Sequence, residues 1–264
     1  MTWEELTRST TVELHESPVE SDRFGLQVAR MVVPADPGPG VPPGGPGTNQ
    51  HAREVLEASD ADVVIVRHPS QRLDLPAVLR GRGRVLLPAD TLLYWRAVAG
   101  TGRRRPPPEG MIVSTTRQPD ADDLRRLVRE SYADYTGHYR ANPLFDPDDV
   151  TAGYVEWVEH TVTLGELVTV WEDGQLSAFM TTQPEEDNLE YVLSGVDKRW
   201  RGRGTYTQLL LAGEDIAVAR GLRFVSLSTQ AQNAVAQRSW ARLGYEPVTA
   251  FSTLHVVREG LLDR

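Results

Sequence analysis

Cysteine is absent from the 264 residues. That excludes a disulfide scaffold, a thiolate metal site and a cysteine nucleophile, and it suits a chain working in the reducing cytoplasm. Lysine is almost absent as well: Lys198 is the only one, and every other cationic chain is arginine. A phosphate held by a side chain here would therefore be held by a guanidinium fork. No apolar run has the length that crosses a bilayer, and no basic stretch followed by an apolar one opens the chain. A membrane partner is not expected, and the location expected is cytoplasmic. A net charge of −9 removes bulk attraction for nucleic acid. No metal site is expected either.

What remains is ordinary globular material, 40% hydrophobic and 25% charged, long enough for one large domain or two small ones. Two stretches interrupt it. "PADPGPGVPPGGPG" (34–47) has too much proline and glycine for a helix or a central strand, so a flexible surface loop is expected. "GTGRRRPPPEG" (100–110) reads as a linker. The expected division is a smaller α/β domain over 1–105 and a second domain over 111–264.

In the first part, "DVVIV" (62–66) is a short β-branched run that reads as a buried strand. "RVLLPADTLLYW" (84–95) reads as two strand-like runs around a proline turn, and 49–58 as a helix. His51 and His68 read as structural. The second part is more regular. A strand is expected at 111–117, a helix over 119–130 opened by Pro119 and Asp120, and another over 147–160. Two strands flank the turn signal Asp173-Gly174. Strands at 188–196 and 223–229 follow, then a helix over 233–245 and a last strand. The order β-α-α-β-β-β-α-β-α-β is an α+β domain around one mixed sheet.

The most informative fragment is "RWRGRGTYTQLL" (199–210), which lies between a strand and a helix. Leu209, Ala212, Gly213, Ile216 and Ala217 recur at helical spacing, giving that helix one buried face. The glycines stand where several backbone N–H groups lack intrahelical partners, and a helix N-terminus favours negative charge. Arg201 and Arg203 add positive charge. The turn suits a pyrophosphate, although glycine turns before helices also occur with no ligand. Further on, "NAVAQRSWARLGY" (233–245) starts at Asn233, an N-cap residue, and ends at Gly244.

Strand, "RGRGTY", helix, strand and then N-x-x-A-x-x-x-W-x-x-L-G-Y resembles the acyl-CoA-binding half of the GCN5-related N-acetyltransferase superfamily. Its signature, Arg/Gln-x-x-Gly-x-Gly/Ala, is matched by Arg201, Gly204 and, imperfectly, Tyr206. The resemblance implies a mixed sheet whose central strands splay to admit pantetheine. It also implies acetyl-CoA as cosubstrate, with its pyrophosphate on the N–H groups of Arg203, Gly204, Thr205 and Tyr206. "ESDRFGLQVARM" (20–31), "ADTLLYW" (89–95), "NPLFDPDDVTAGYVEWV" (142–158) and "FSTLHVV" (251–257) further resemble the dTDP-fucosamine acetyltransferase group. That narrower likeness implies acetylation of a nucleotide-linked deoxyamino sugar, as in polysaccharide or natural-product biosynthesis, by a chain that could form a homodimer. The alternatives are an antibiotic or amino-acid-like amine as acceptor, or a module that binds acyl-CoA without catalysis.

Amide formation needs a base for the amine, donors for an oxyanion, and an acid or a tolerable leaving group. Main-chain N–H groups near Gly195 and Val196 suit the oxyanion and pantetheine. Strand alternation puts Glu190 on the face of Ser194 and Val196; the resemblance implies a general base at that strand position, and the alternative is an edge carboxylate on a solvated face. In the resembled enzymes a tyrosine seven residues after the asparagine is the acid. Here that position is Trp240, whose indole cannot give up a proton. Tyr245 or another hydroxyl could replace it, or the thiolate could leave unaided. Asn233 and Trp240 are expected beside the coenzyme. His255, on the last strand, could face the acceptor, and His138 and Tyr139 could touch a sugar.

Overall fold

The computed structural model describes residues 3–34, 46–81 and 83–263. Most of the proline- and glycine-rich stretch therefore lies outside the described residues. The chain forms two compact units, each assembled from separated segments. One comprises Met1–Leu93, Thr136–Val150 and Thr249–Arg264, the other Tyr94–Tyr135 and Thr151–Val248.

The first unit contains α1 (Trp3–Arg8), β1 (Glu13–Glu16), α2 (Pro18–Phe24), β2 (Val28–Val32), α3 (Pro46–Glu57), β3 (Val63–Pro69) and α4 (Leu75–Val78). The run 62–66 is the buried strand its composition predicts, with every residue of β3 buried. β2 pairs with β1 antiparallel and with β3 parallel, and β3 pairs antiparallel with the end of the last strand, β10 (Glu246–Arg258). Strand alternation then gives this sheet two unlike faces. Ala29, Met31, Val64, Val66, Leu254 and Val256 form one, packed with Ala52 and Leu56 of α3 and Leu75 of α4 into an aliphatic core. Arg30, Ile65, Arg67, Thr253 and His255 are on the other.

The stretch 84–95 is a single strand, β4 (Arg84–Val98), and not two runs about a turn. Proline's fixed φ is compatible with extended backbone and forgoes only one ladder hydrogen bond, and Pro88 spends that loss at an exposed position.

In the second unit β5 (Met111–Ser114), α5 (Ala121–Tyr132), most of α6 (Pro147–Leu164), β6 (Leu167–Glu172), β7 (Gln175–Pro184), β8 (Asn188–Val196), α7 (Thr205–Ala219), β9 (Phe224–Gln230) and α8 (Ala234–Leu243) follow in order. β5 stops short of residue 117 because the Ser114 hydroxyl accepts from the N–H groups of Thr116 and Arg117, turning the chain. The sheet order is β9-β8-β7-β6-β5, antiparallel except for the parallel pair β8–β9 that α7 connects. Asp173 and Gly174 make the β6–β7 turn with positive φ of 51° and 77°. Leu209, Leu210 and Ala217 of α7 and Trp240 and Leu243 of α8 pack with Val168, Met180, Tyr191, Val225 and Leu227 into one core. The mixed-sheet α+β fold expected from the order of elements is the one observed.

Candidate coenzyme site

The site begins with two irregularities in β8. Its register with β7 runs from Ala178↔Val196 to Thr181↔Leu193 and then jumps to Thr182↔Tyr191, leaving Val192 as a bulge. On its other edge β8 pairs with β9 only over Asn188–Tyr191 against Phe224–Leu227. Both strands continue beyond that point, to Val196 and Gln230. The two strands therefore part at Tyr191 and Leu227, the splay that the sequence resemblance implies.

Two tyrosines that the sequence reading missed reach the parted strands, Tyr132 at the end of α5 and Tyr135 just beyond it. Tyr132 donates to the Ser194 carbonyl at 3.2 Å on β8, and Tyr135 donates to the Gln230 side chain on β9. Tyr154 of α6 stacks on Tyr132 with ring centroids 4.2 Å apart and meets Tyr135 edge-on. The i, i+3 spacing of the two tyrosines at the end of a helix was the available signal.

Beyond β8 the chain makes a 3-10 turn, Lys198–Trp200, and then the glycine turn. Gly202 and Gly204 have φ of 79° and 92°, a region that other residues enter at a cost. A Cβ placed on either would meet nothing within 4 Å, so the space over the turn is open. Gly204 caps α7 with no side-chain hydrogen bond. The first-turn N–H groups thus face outward without a capping side chain, as an anion seat requires. Thr205 does not obstruct them, because its hydroxyl turns inward to Glu172 at 2.8 Å and to the Trp200 carbonyl at 3.2 Å. Arg203 lies over the Trp200 ring at 4.9 Å, and Arg201 donates to the Val196 carbonyl at 3.0 Å. Both guanidinium groups belong to exposed residues beside the turn.

Tyr206 points away from the turn and into the unit. Its hydroxyl accepts from the Trp240 indole N–H at 2.9 Å. Burial pushes the phenol's pKa up, against opposing hydrogen bonds from Trp240 and Ser194. Trp240 is itself buried, edge-on to Trp95 with centroids 6.0 Å apart. Asn233 caps α8 by accepting from the Ala236 N–H at 3.3 Å, and its amide donates to Thr229 at 2.9 Å.

The bulge corrects the expectation for Glu190. That residue is in register with Gln183, as Leu193 is with Thr181 and Gly195 with Phe179, which places all three β8 residues on one face. A Cβ on Gly195 would collide there with Ser131 of α5. Tyr191, Ser194 and Val196 oppose Thr182, Met180 and Ala178 and so share the other face. Glu190 is buried on the α5 face, opposite Ser194 and Val196, because the extra residue reverses the alternation between them.

Tyr245 is buried in the core, its hydroxyl 3.5 Å from that of Tyr191, and burial pushes its pKa well up. Tyr245 thus stands within the packed core of the second unit. His255 belongs to the first unit. Its Nε2 lies 3.0 Å from Nδ1 of His138, and burial holds its pKa down to about 3. His138, Tyr139 and His255 do come together, with Glu20 and Arg30. Arg30 forms a two-point pair with Glu20 at 2.7 and 2.6 Å, and Tyr139 also donates to Glu20. Burial acts to raise the Glu20 pKa, but the Arg30 charge and these hydrogen bonds hold it at about 2. Among the described residues no group of His, Asp or Glu is arranged to hold a metal ion, and no helix is long and apolar enough to cross a membrane.

A parallel pair that splays and a bare glycine turn opening the next helix are the arrangement that the sequence resemblance implies. Residues 123–245 match the family model described as Acetyltransferase (GNAT) family. A mycothiol acetyltransferase from Clavibacter michiganensis is 32% identical over 178 residues, which is 67% of this chain and 56% of that protein. The chain thus spans little more than half the length of that relative. A GCN5-related N-acetyltransferase from Sphaerobacter thermophilus shares the fold at a TM-score of 0.57 with 16% identity, over 95% of this chain and 78% of that one. Another, from Kribbella flavida, has a TM-score of 0.54 with 18% identity, over 89% and 84% of the two chains.

Proposed function

We propose that the chain is an acetyl-CoA-dependent N-acetyltransferase acting on a small-molecule amine. The observation that carries this is the open glycine turn at the head of α7, standing beside the point where β8 and β9 part. The N–H groups of Arg203 to Tyr206 would hold the coenzyme pyrophosphate, with Arg201 and Arg203 supplying charge. The main chain of Gly195 and Val196 would pair with pantetheine and face the developing oxyanion. Acetyl-CoA supplies an activated acetyl thioester.

The bulge separates the two proton-handling groups onto opposite faces of the parted edge. On one, Glu190 takes the proton that the amine loses as its nitrogen bonds to the acetyl carbon. On the other, the Tyr206 hydroxyl gives its proton to the sulfur as the carbon–sulfur bond breaks. Its lone pair is already engaged by Trp240, and burial keeps it protonated at neutral pH. Tyr206 therefore takes the role that Trp240, with no acidic proton, cannot fill.

A nucleotide-linked deoxyamino sugar is the first acceptor to test, on the likeness of four further stretches to the dTDP-fucosamine acetyltransferase group. The mycothiol acetyltransferase similarity adds that enzyme's acceptor to the panel. The deciding measurement is coenzyme binding by calorimetry with free-thiol release over dTDP-amino sugars, aminoglycosides and amino acids. Thiol release with one class identifies the acceptor. Binding without release from any amine would leave a coenzyme-binding module. Tyr206→Phe should lower kcat about 10-fold or more at unchanged coenzyme affinity; a wild-type rate would remove Tyr206 as the acid.

A further inference from the structure

The polar face of the first unit's sheet buries more donors than it satisfies. Arg67 is 5% exposed and its Nε has no hydrogen-bond partner. Neither has Oγ1 of Thr253, at 1% exposure, or Nδ1 of His255, at 0%. These atoms belong together. Thr253 stands directly across from Arg67, and His255 is the next residue on that face of β10. The Arg67 charge also bears on both His138 and His255, opposing their protonation after the larger effect of burial.

Arg30 and Arg67 bring two positive charges, and burial keeps the two imidazoles neutral. Glu20 brings one negative charge, already engaged by Arg30 and Tyr139. Among the described residues no carboxylate is paired with Arg67. A guanidinium does not shed its charge on burial, and buried charges in folded proteins are paired. Arg67 thus has no counter-charge bonded to it, and the unsatisfied Thr253 and His255 atoms stand on the same face of the sheet.

We propose that Arg67, Thr253 and His255 bind the carboxylate of a small molecule. The guanidinium offers the planar fork that matches a carboxylate, and the threonine hydroxyl provides a further donor. His255 Nδ1–H donates as well when Nε2 accepts from Nδ1–H of His138, the arrangement their 3.0 Å separation permits. A carboxylate brings one negative charge to meet that of Arg67, whereas a phosphate dianion overcompensates it. The site stands without the acetyl-transfer reading.

The test is titration of the full chain with acetate, following the histidine ring signals and thermal unfolding, with chloride at matched ionic strength as control. The expected result is a saturable response to acetate whose apparent affinity falls about 10-fold or more in Arg67→Met and about 3-fold in Thr253→Val. Coenzyme affinity should be the same in all three proteins. No saturable response in the wild-type protein, or an equal one in both variants, overturns the proposal. A stronger saturable response to inorganic phosphate, lost in the same variants, overturns the carboxylate assignment. If Arg67→Met does not fold, Thr253→Val decides alone. Failure of coenzyme binding in the wild-type protein removes the acetyl-transfer reading and leaves this one standing.

Discussion

In the first unit the buried polar atoms belong to side chains, whereas in the second those that prepare a binding site belong to the main chain. The face carrying Arg30, Arg67 and His255 is built of ionisable side chains, among them a histidine kept neutral by burial. The proposed coenzyme site is built of amides, where strands part, a bulge shifts the register and glycines adopt positive φ. Side-chain sites of the first kind respond to pH and to single charge deletions. Main-chain sites of the second kind respond to shape.

The sharpest way to break the comparison is Glu20→Gln. It keeps the volume and removes the charge opposite Arg30, leaving that partly exposed guanidinium without its carboxylate. The loss should be about 3–5 kcal/mol of stability, measured by denaturant unfolding, with coenzyme binding preserved in whatever fraction remains folded. A loss below 1 kcal/mol would mean that water already screens the pair.

Gly204→Val tests the other half. No atom stands near its new Cβ, so the damage should come from the φ of 92° and from a side chain standing over the amides. Coenzyme affinity should fall about 100-fold, near 2.7 kcal/mol, against a stability cost on the order of 1–2 kcal/mol. Undiminished affinity would contradict a pyrophosphate at this turn.

A pH series sharpens the contrast further. His138 and His255 have folded pKa values pushed down by burial, His255 to about 3, so the unfolded chain binds their protons first. Stability therefore falls as pH drops from about 6.5 towards 3. Glu20, held at about 2, adds a loss that begins below about pH 4.3, where the unfolded carboxyl protonates. His255→Phe should flatten the upper part of this slope. A wild-type stability that stays level between pH 6.5 and 4 would show that the imidazoles are not buried neutral.

The same contrast explains what could be read from the sequence. The glycine turn, the Asp173-Gly174 hairpin and helix α8 between its asparagine and glycine caps were legible because each depends on neighbouring residues alone. The bulge at Val192 was not, since an extra strand residue carries no side-chain mark and exists only against the β7 register. The reversal of Glu190 follows from that. His138 and His255 stand 117 residues apart in sequence, and only the fold makes them a pair. Glu20 and Arg30 were nearer to view, opposite charges ten positions apart on adjoining short elements. In the sequence Tyr206 reads as a departure from a small residue that keeps its main-chain N–H for the pyrophosphate, and its contact with Trp240 requires both helices in place.

Asn233 gives the smallest expected effect and separates structure from ligand binding at one residue. Its Oδ1 caps α8 while its amide reaches Thr229. Asn233→Ala removes both and should cost about 1 kcal/mol, the usual value of an N-cap. Asn233→Asp keeps the cap acceptor and removes only the donor, so most of that stability should return. If α8 serves the site only by placing Trp240 against Tyr206, coenzyme affinity follows stability and recovers in the aspartate variant. Affinity that stays low in Asn233→Asp while stability recovers would instead make the Asn233 amide a direct coenzyme contact, and the second unit would then also bind through a side chain.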